Sequence, residues 1–439
     1  MKKVGLLIAW LIVIVAGLSV FGFWVKNVLE NPAPKGIHKV LKDVVTYPDQ
    51  ILQAFESKEI TRIPPTFEPV HFHDTINHLK QDLYGINSYY KRNPERWEVT
   101  LFNFKTDDVL HRWTIKPDSF HFTLRQFSNS EPRNAILLED GSIVVTQDES
   151  HNLYRIDSAS NIVWHNTGKE FHHSLNPGLD NTIWTCTSEE VVFTYPNTTK
   201  YAYKDNFLTQ VDAQTGQIIL DKSVSDIFRE MGRFNWIYGT SNTVNNPGFT
   251  DPIHLNDVEP VLENGLYWKA GDVFLSLRNR SMILQYRPAV DSVIRIIEGP
   301  FLHQHDVDVI NDSTLVFYNN SGTTLGNIYY RPNEKNPPEV KERLSNSHLM
   351  LYHFGSNQFE PHLKSIFDSE RFFSRVQGLQ HPLSNGNYYV EHYTAGLMYI
   401  MSEDSVVYKR HTHNRYKNYA ERPHWIRVYE DLPWTKQPK

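Results

Sequence analysis

Four histidines stand just ahead of an Asp-, Asn- or Gly-containing turn in successive stretches of this 439-residue chain. His173 lies in Phe171-His172-His173-Ser-Leu-Asn-Pro-Gly, and His254 in Asp251-Pro-Ile-His254-Leu-Asn256-Asp257-Val. His305 lies in His303-Gln304-His305-Asp306-Val-Asp-Val, and His381 in Gly378-Leu-Gln380-His381-Pro-Leu-Ser-Asn-Gly. After the second of these comes Val273-Phe-Leu-Ser276-Leu-Arg278-Asn279-Arg280, which adds arginines to the same neighbourhood. Imidazoles serve as nucleophiles, general acids and bases, or metal ligands, because both protonation states occur near neutral pH. A guanidinium beside them favours a tetrahedral oxyanion such as a sulfate or phosphate ester. Any one of these histidines alone reads best as a strand-end residue; four in one phase read as a site. His151, His165, His392, His411 and His413 fall outside that phase and read as surface.

The elements that must carry these residues are strands. From about residue 84 onward the chain repeats a β-branched and aromatic run, a turn, and a second such run. The runs begin at Leu101, Leu153, Leu208, Ile283, Met350 and Leu397, spaced 52, 55, 75, 67 and 47 residues apart. A second hairpin precedes several of them, around Asp140-Gly141, Asn311-Asp312 and Asn385-Gly386, turn pairs suited to tight hairpins. Two hairpins make a four-stranded antiparallel unit, and its repetition at about 45–50 residues marks a propeller blade. Six units fit one ring better than a pair of sandwiches, so an all-β, six-bladed propeller over 84–439 is expected. Insertions are expected at Ile227–Asp251 and Arg331–Asn346. Strand starts from neighbouring blades converge on the axis, which would gather the imidazoles and the guanidinium.

Composition narrows the function classes. Lys and Arg number 44 against 50 Asp and Glu, a net charge of −6 that argues against a nucleic-acid partner. The single cysteine, Cys186, excludes an intrachain disulfide and multi-cysteine metal sites, and reads as buried strand filler. Val4–Trp24 is an uncharged apolar run of 21 residues, long enough to span a bilayer as a helix. Lys2 and Lys3 precede it, so residues 1–26 are expected as a single-pass anchor with the bulk on the periplasmic or extracellular side. A cleaved signal peptide is the rival reading. Residues 27–83 are expected as a linker and short helical stalk, with apolar residues at helical spacing between Ile37 and Phe55.

Taken together, Asp251-x-x-His254-x-Asn256-x-Val258, Phe274-Leu-Ser276-x-Arg278 and Gln304-His305-Asp306, followed by Leu315-Val-Phe-Tyr-Asn-Asn, resemble the arylsulfotransferase family. The similarity covers about 84–412. Asn279 stands where relatives often carry histidine, and Asp257 where they often carry serine. The resemblance implies a six-bladed propeller that moves sulfuryl from an aryl sulfate to a phenolic or other hydroxyl acceptor, without a nucleotide donor or other cofactor. It implies His305 as nucleophile, His254 and Arg278 as holders of the sulfuryl oxygens, and His173 as a further catalytic imidazole. Asn256, His172 and His381 are then substrate-binding candidates. Two other classes stay open: a metal enzyme or sensor ligated by His173, His254 and His305, and a non-catalytic scaffold anchored at a membrane.

Overall fold

The computed structural model describes residues 74–434 apart from 93, 117–129, 195–199, 239–248, 322–345, 375 and 413–418. It also describes 67–69 and positions 17, 19, 21, 22, 24 and 25. The chain divides into a unit of residues 1–63 and a unit of residues 64–439. Most of the apolar run Val4–Trp24 and the helices expected between Ile37 and Phe55 lie outside the described residues. Among the described residues, no helix is long and apolar enough to cross a membrane.

The second unit is a six-bladed β-propeller. The second blade comprises Pro132–Leu137, Ile143–Gln147, Leu153–Ile156 and Ile162–Asn166, in that order from the axis outward. The third comprises Glu170–Pro177, Thr182–Thr194, Lys200–Asp212 and Ile218–Ser223. The fourth runs Leu255–Pro260, Val273–Leu277, Met282–Arg287 and Ser292–Glu298. The fifth is His305–Asn311, Thr314–Asn319, His348–His353 and Gln358–His362; the sixth is Gln380–Pro382, Tyr388–His392, Leu397–Met401 and Val406–His411. The first blade is built from both ends of the unit. Its outer strands are Tyr84–Arg92, Glu95–Asn103 and Val109–Ile115, and its inner strand is Arg427–Tyr429. That antiparallel pairing closes the ring and leaves neither end of the repeat with an open edge.

Each of the six expected hairpins is the outer half of one blade. The end of the segment expected as stalk is extended instead: Ile76–Asn77 pairs with Tyr408 and Lys409 as a fifth strand on the sixth blade. The insertion expected from Ile227 begins inside the helix Val224–Glu230, capped by the Ser223 hydroxyl, and includes Asn235–Tyr238. The other expected insertion lies almost wholly outside the described residues. His411, expected at the surface, is buried. Cys186 is fully buried, as strand filler should be, between the third and fourth blades.

Apolar side chains fill the six gaps between blades, one cluster per gap. Period-two alternation allows this, because each blade must present apolar residues on both faces to two neighbours. Trp97 is fully buried between the first and second blades, 5.3 Å from the Tyr90 ring and edge-on to His424 at 5.5 Å. Trp97→Ala is expected to lower unfolding free energy by about 3–5 kcal/mol through the cavity it leaves. Urea titration with a wild-type slope would check this.

Candidate active site at the start of the inner strands

The inner strands need partners that no further strand can supply, since nothing lies beyond them but the axis. Side chains of the preceding blade take that role. The Val258 N–H donates to Ser174 Oγ at 3.2 Å, and the Val307 N–H to Asp257 Oδ2 at 2.8 Å. The Gln380 N–H donates to Asp306 Oδ2 at 2.6 Å, and the Ile426 N–H to Glu391 Oε1 at 2.5 Å. Asp257 thus faces the next blade rather than an anion pocket. Burial pushes its carboxyl up to about 6 and that of Glu391 to about 7.

Just ahead of these clasp residues the strands bulge. Pairing registers shift between His172 and Leu175, Leu255 and Asp257, and His305 and Val307. His173 and His254 adopt left-handed backbone at φ 59° and 52°, as does Asp306 at 52°. Such positions store strain and recur where a side chain must be re-aimed. The clasps also correct the expected phase. His173 and His305 are equivalent, each directly before its clasp residue, Ser174 or Asp306. Asn256 holds that place in the fourth blade, and His254 stands two residues earlier, where the fifth blade has His303.

The offsets bring three of the four histidines together. The His173 ring lies 5.0 Å from His254 and 6.2 Å from His305, centroid to centroid. Trp425, fully buried, contacts both His173 at 5.7 Å and His305 at 6.4 Å. His172 joins through a 2.8 Å hydrogen bond between its Nδ1 and that of His173. Arg278 begins a short 3-10 turn, Arg278–Arg280, whose first N–H donates to the His254 carbonyl at 3.0 Å. Asn279 braces it: Oδ1 accepts from Arg278 Nη1 at 2.7 Å, and Nδ2 donates to the Asp251 carbonyl at 2.6 Å. Asn256, expected to contact substrate, donates from Nδ2 to the Gln304 carbonyl at 2.8 Å and fixes the residue before His305. His381 stands apart. It lines a cavity of about 720 Å3 formed by strand ends such as Ile136 and Pro177, together with Arg427 and Tyr429.

Each clustered imidazole has a different partner. His254 Nδ1 meets Asp251 Oδ2 at 2.6 Å, and its side chain is 25% exposed, which gives the cluster its contact with solvent. His305 Nδ1 lies 2.7 Å from Asn320 Oδ1 and 3.1 Å from the His303 carbonyl. Burial first, then the Arg278 charge, push His305 well below the usual imidazole range. His173 is pushed down likewise by burial and by its imidazole neighbours. Both are therefore neutral at pH 7. A second layer holds this group. The His173 N–H donates to Asp148 Oδ1 at 2.9 Å, and Asp148 Oδ2 pairs with Arg133. Arg133 and Trp425 both donate to Gln377 Oε1, at 3.1 and 3.0 Å. Asp251 and Asn320 lay inside the motifs that carried the resemblance, without an assigned role. Arg133, Asp148, Gln377 and Trp425 had no signal, because their positions share no sequence spacing. Among the described residues, no three His, Cys, Asp or Glu side chains form a metal-holding group.

With this geometry in place, residues 134–413 match the family model described as Arylsulfotransferase (ASST). The chain belongs to the arylsulfotransferase family. No curated protein matches it. A Bacteroides caccae protein of unknown function aligns at TM-score 0.47 and 9% identity, over 80% of this chain and 100% of that one. A catalytically inactive virginiamycin B lyase from Staphylococcus aureus, solved with quinupristin, aligns at 0.40 and 9%, over 78% and 89%. The selenomethionine form of that lyase aligns at 0.34 and 11%, over 64% and 70%.

Burial opposes ionisation of Asp251, yet His254 and Lys204 hold its carboxyl down at about 2. A carboxyl lowered on folding adds stability above its unfolded value of about 3.9, lost as pH falls toward the folded one. Wild type should therefore lose about 2 kcal/mol between roughly pH 4 and 2 that Asp251→Ala does not lose. Chemical denaturation of both proteins across that window measures the difference.

Proposed function

We propose that this arylsulfotransferase moves a sulfuryl group from an aryl sulfate to a phenolic or other hydroxyl acceptor through a histidine-bound intermediate. The observation that carries the reading is the convergence of a neutral, buried His305 with His254, His173 and the Arg278 charge at one end of the channel. Family membership supports the sulfuryl chemistry; the residue assignments rest on the geometry.

In the first half-reaction His305 Nε2 attacks sulfur, an N–S bond forms, and the S–O bond to the aryl group breaks. The aryl oxygen leaves with the electron pair and takes a proton from His254, the imidazole backed by a carboxylate. In the second, His254 takes the acceptor's proton as its oxygen attacks sulfur, and the N–S electron pair returns to His305. Arg278, always cationic, offsets the negative charge on the transferring oxygens. Such an exchange is ping-pong and needs no cofactor. The uncharged run Val4–Trp24 supports holding the propeller at the outer face of a membrane, which fractionation of cells expressing the full chain would test.

Brief incubation with a 35S-labelled aryl sulfate is expected to leave an acid-labile label on the wild type and none on His305→Ala. Equal labelling of that variant would remove His305 from the role. Arg278→Met should keep the fold and lower donor turnover about 100-fold or more, as removal of one oxyanion donor does. Because His305 titrates below the usual 6.5, its limb of the pH–rate profile should stay flat as pH falls through 6.5 and drop only at lower pH.

A further inference from the structure

Asn320 is buried and its orientation is fixed without reference to His305. Its Nδ2 donates to two backbone carbonyls, Ser374 at 2.8 Å and Gln377 at 2.5 Å. Two acceptors on that atom leave only the amide oxygen to face His305 Nδ1, at 2.7 Å. The second neighbour of Nδ1, the His303 carbonyl, is also an acceptor and nothing else. Both groups need a hydrogen from the ring. Among the described residues, the titratable groups that face His305 from other elements are Arg278, His254 and His173, and none of them supplies a carboxylate to the ring. We propose that Asn320 is a positioning residue that keeps the proton on His305 Nδ1, so that Nε2 carries the lone pair before attack and imidazole departs neutral after it.

The inference rests on the sulfuryl-transfer reading and adds to it a reason for an amide at this place. Once sulfur is bonded to Nε2, the ring bears positive charge, and the fate of the Nδ1 proton decides what leaves in the second half-reaction. An amide oxygen accepts a hydrogen bond without taking the proton. The N–S bond then breaks to give a neutral imidazole, a good leaving group. A carboxylate in the same place would draw the proton away and make the leaving group imidazolate, and before attack it would stabilise the unreactive imidazolium. The fold supplies the contrast a few ångströms away, where His254 Nδ1 faces the Asp251 carboxylate. That pairing suits a group that gains and loses a proton. Two imidazoles in one pocket thus take different work from the charge of their partners.

The test begins with unmodified protein labelled with 15N-histidine, His305 being assigned by its loss in His305→Ala. Two-bond 1H–15N spectra from pH 8 to 5.5 should show His305 with a protonated Nδ1 and an unprotonated Nε2. A protonated Nε2 with a bare Nδ1 overturns the proposal whatever the activity. Asn320→Ala should mix the two tautomers and slow transfer to the acceptor about tenfold or more, with donor KM little changed. An Ala variant with the wild-type spectrum overturns it as well. Asn320→Asp should give an imidazolium with two N–H signals near neutral pH and move the acid limb upward by a unit or more. Wild-type rates alongside that imidazolium would again sink the idea. A wild type that shows the expected tautomer but takes no label from an aryl sulfate overturns the sulfuryl reading, and the leaving-group role with it.

Discussion

The inner strand of a propeller blade has a neighbour on one side only, so part of its backbone must find hydrogen bonds across the gap to the next blade. Buried donors without partners cost about 1–3 kcal/mol each, and six blades cannot carry many of them. Here Ser174, Asp257, Asp306 and Glu391 reach forward to the following blade's N–H groups. The consequence is a channel rich in carboxyls. Asp306 and Glu259 are driven well up by burial and then by the charge of Asp308, and Asp308 to about 7 by burial and then by Asp257. Gln380 Nε2 answers one of them, donating to Asp308 Oδ2 at 2.7 Å. The acidity is therefore first a feature of ring closure.

The same constraint shapes the site. A strand that must offer a clasp residue forward and still pair with its own blade takes up the slack as a bulge. The residue directly before the clasp is the one of interest. In the third and fifth blades it is a histidine, and in the fourth an asparagine that braces the strand behind His305. The proposed nucleophile and the bracing asparagine hold the same place before their clasp residues, and only side-chain chemistry divides them. Position alone does not make His305 a nucleophile. Its Nδ1 faces an amide and a carbonyl, whereas His254 faces a carboxylate and His173 faces another imidazole.

Much of the ring was legible because its signals are local. Alternation and turn residues mark all six outer hairpins; four expected starts fall within two residues of the observed strand, and Leu101 and Leu208 fall inside the longer Glu95–Asn103 and Lys200–Asp212. The first blade's inner strand was not legible, since Arg427–Tyr429 is three residues long and shows no period. Its pairing with Tyr84–Ile86 is a closure across nearly the whole unit. The site was legible in its residue types and less so in its alignment. A bulge adds a residue to one strand and none to its partner, so spacing along the chain overstates or understates position in space. His381 shows the effect: it follows Gln380, the residue clasped by Asp306, and so lies further along the channel than His305. Arg133 and Asp148 come from the second blade and Gln377 from the approach to the sixth, and only packing unites them.

The third blade shows how access to such a buried cluster is shaped. Its two middle strands run 13 residues each, against five or six in the fourth blade. Glu170, at the start of the inner strand, pairs with Ser188, so the pairs from Glu189–Asp205 to Thr194–Lys200 rise past the end that holds His172 and His173. Lys204 on that arm pairs with Glu170, and its charge reaches both His172 and Asp251. The insertion that follows the blade returns as Phe249–Thr250, parallel to Ala202 and Tyr203, and delivers the chain directly to Asp251. The arm is thus tied covalently and electrostatically to the Asp251–His254 pair. Variation in its length or sequence changes the wall beside His172 and His173 without touching the inner strand that holds His305. A ring that settles its closure on the inner strands and its walls on the outer ones can keep one chemistry while its substrates change.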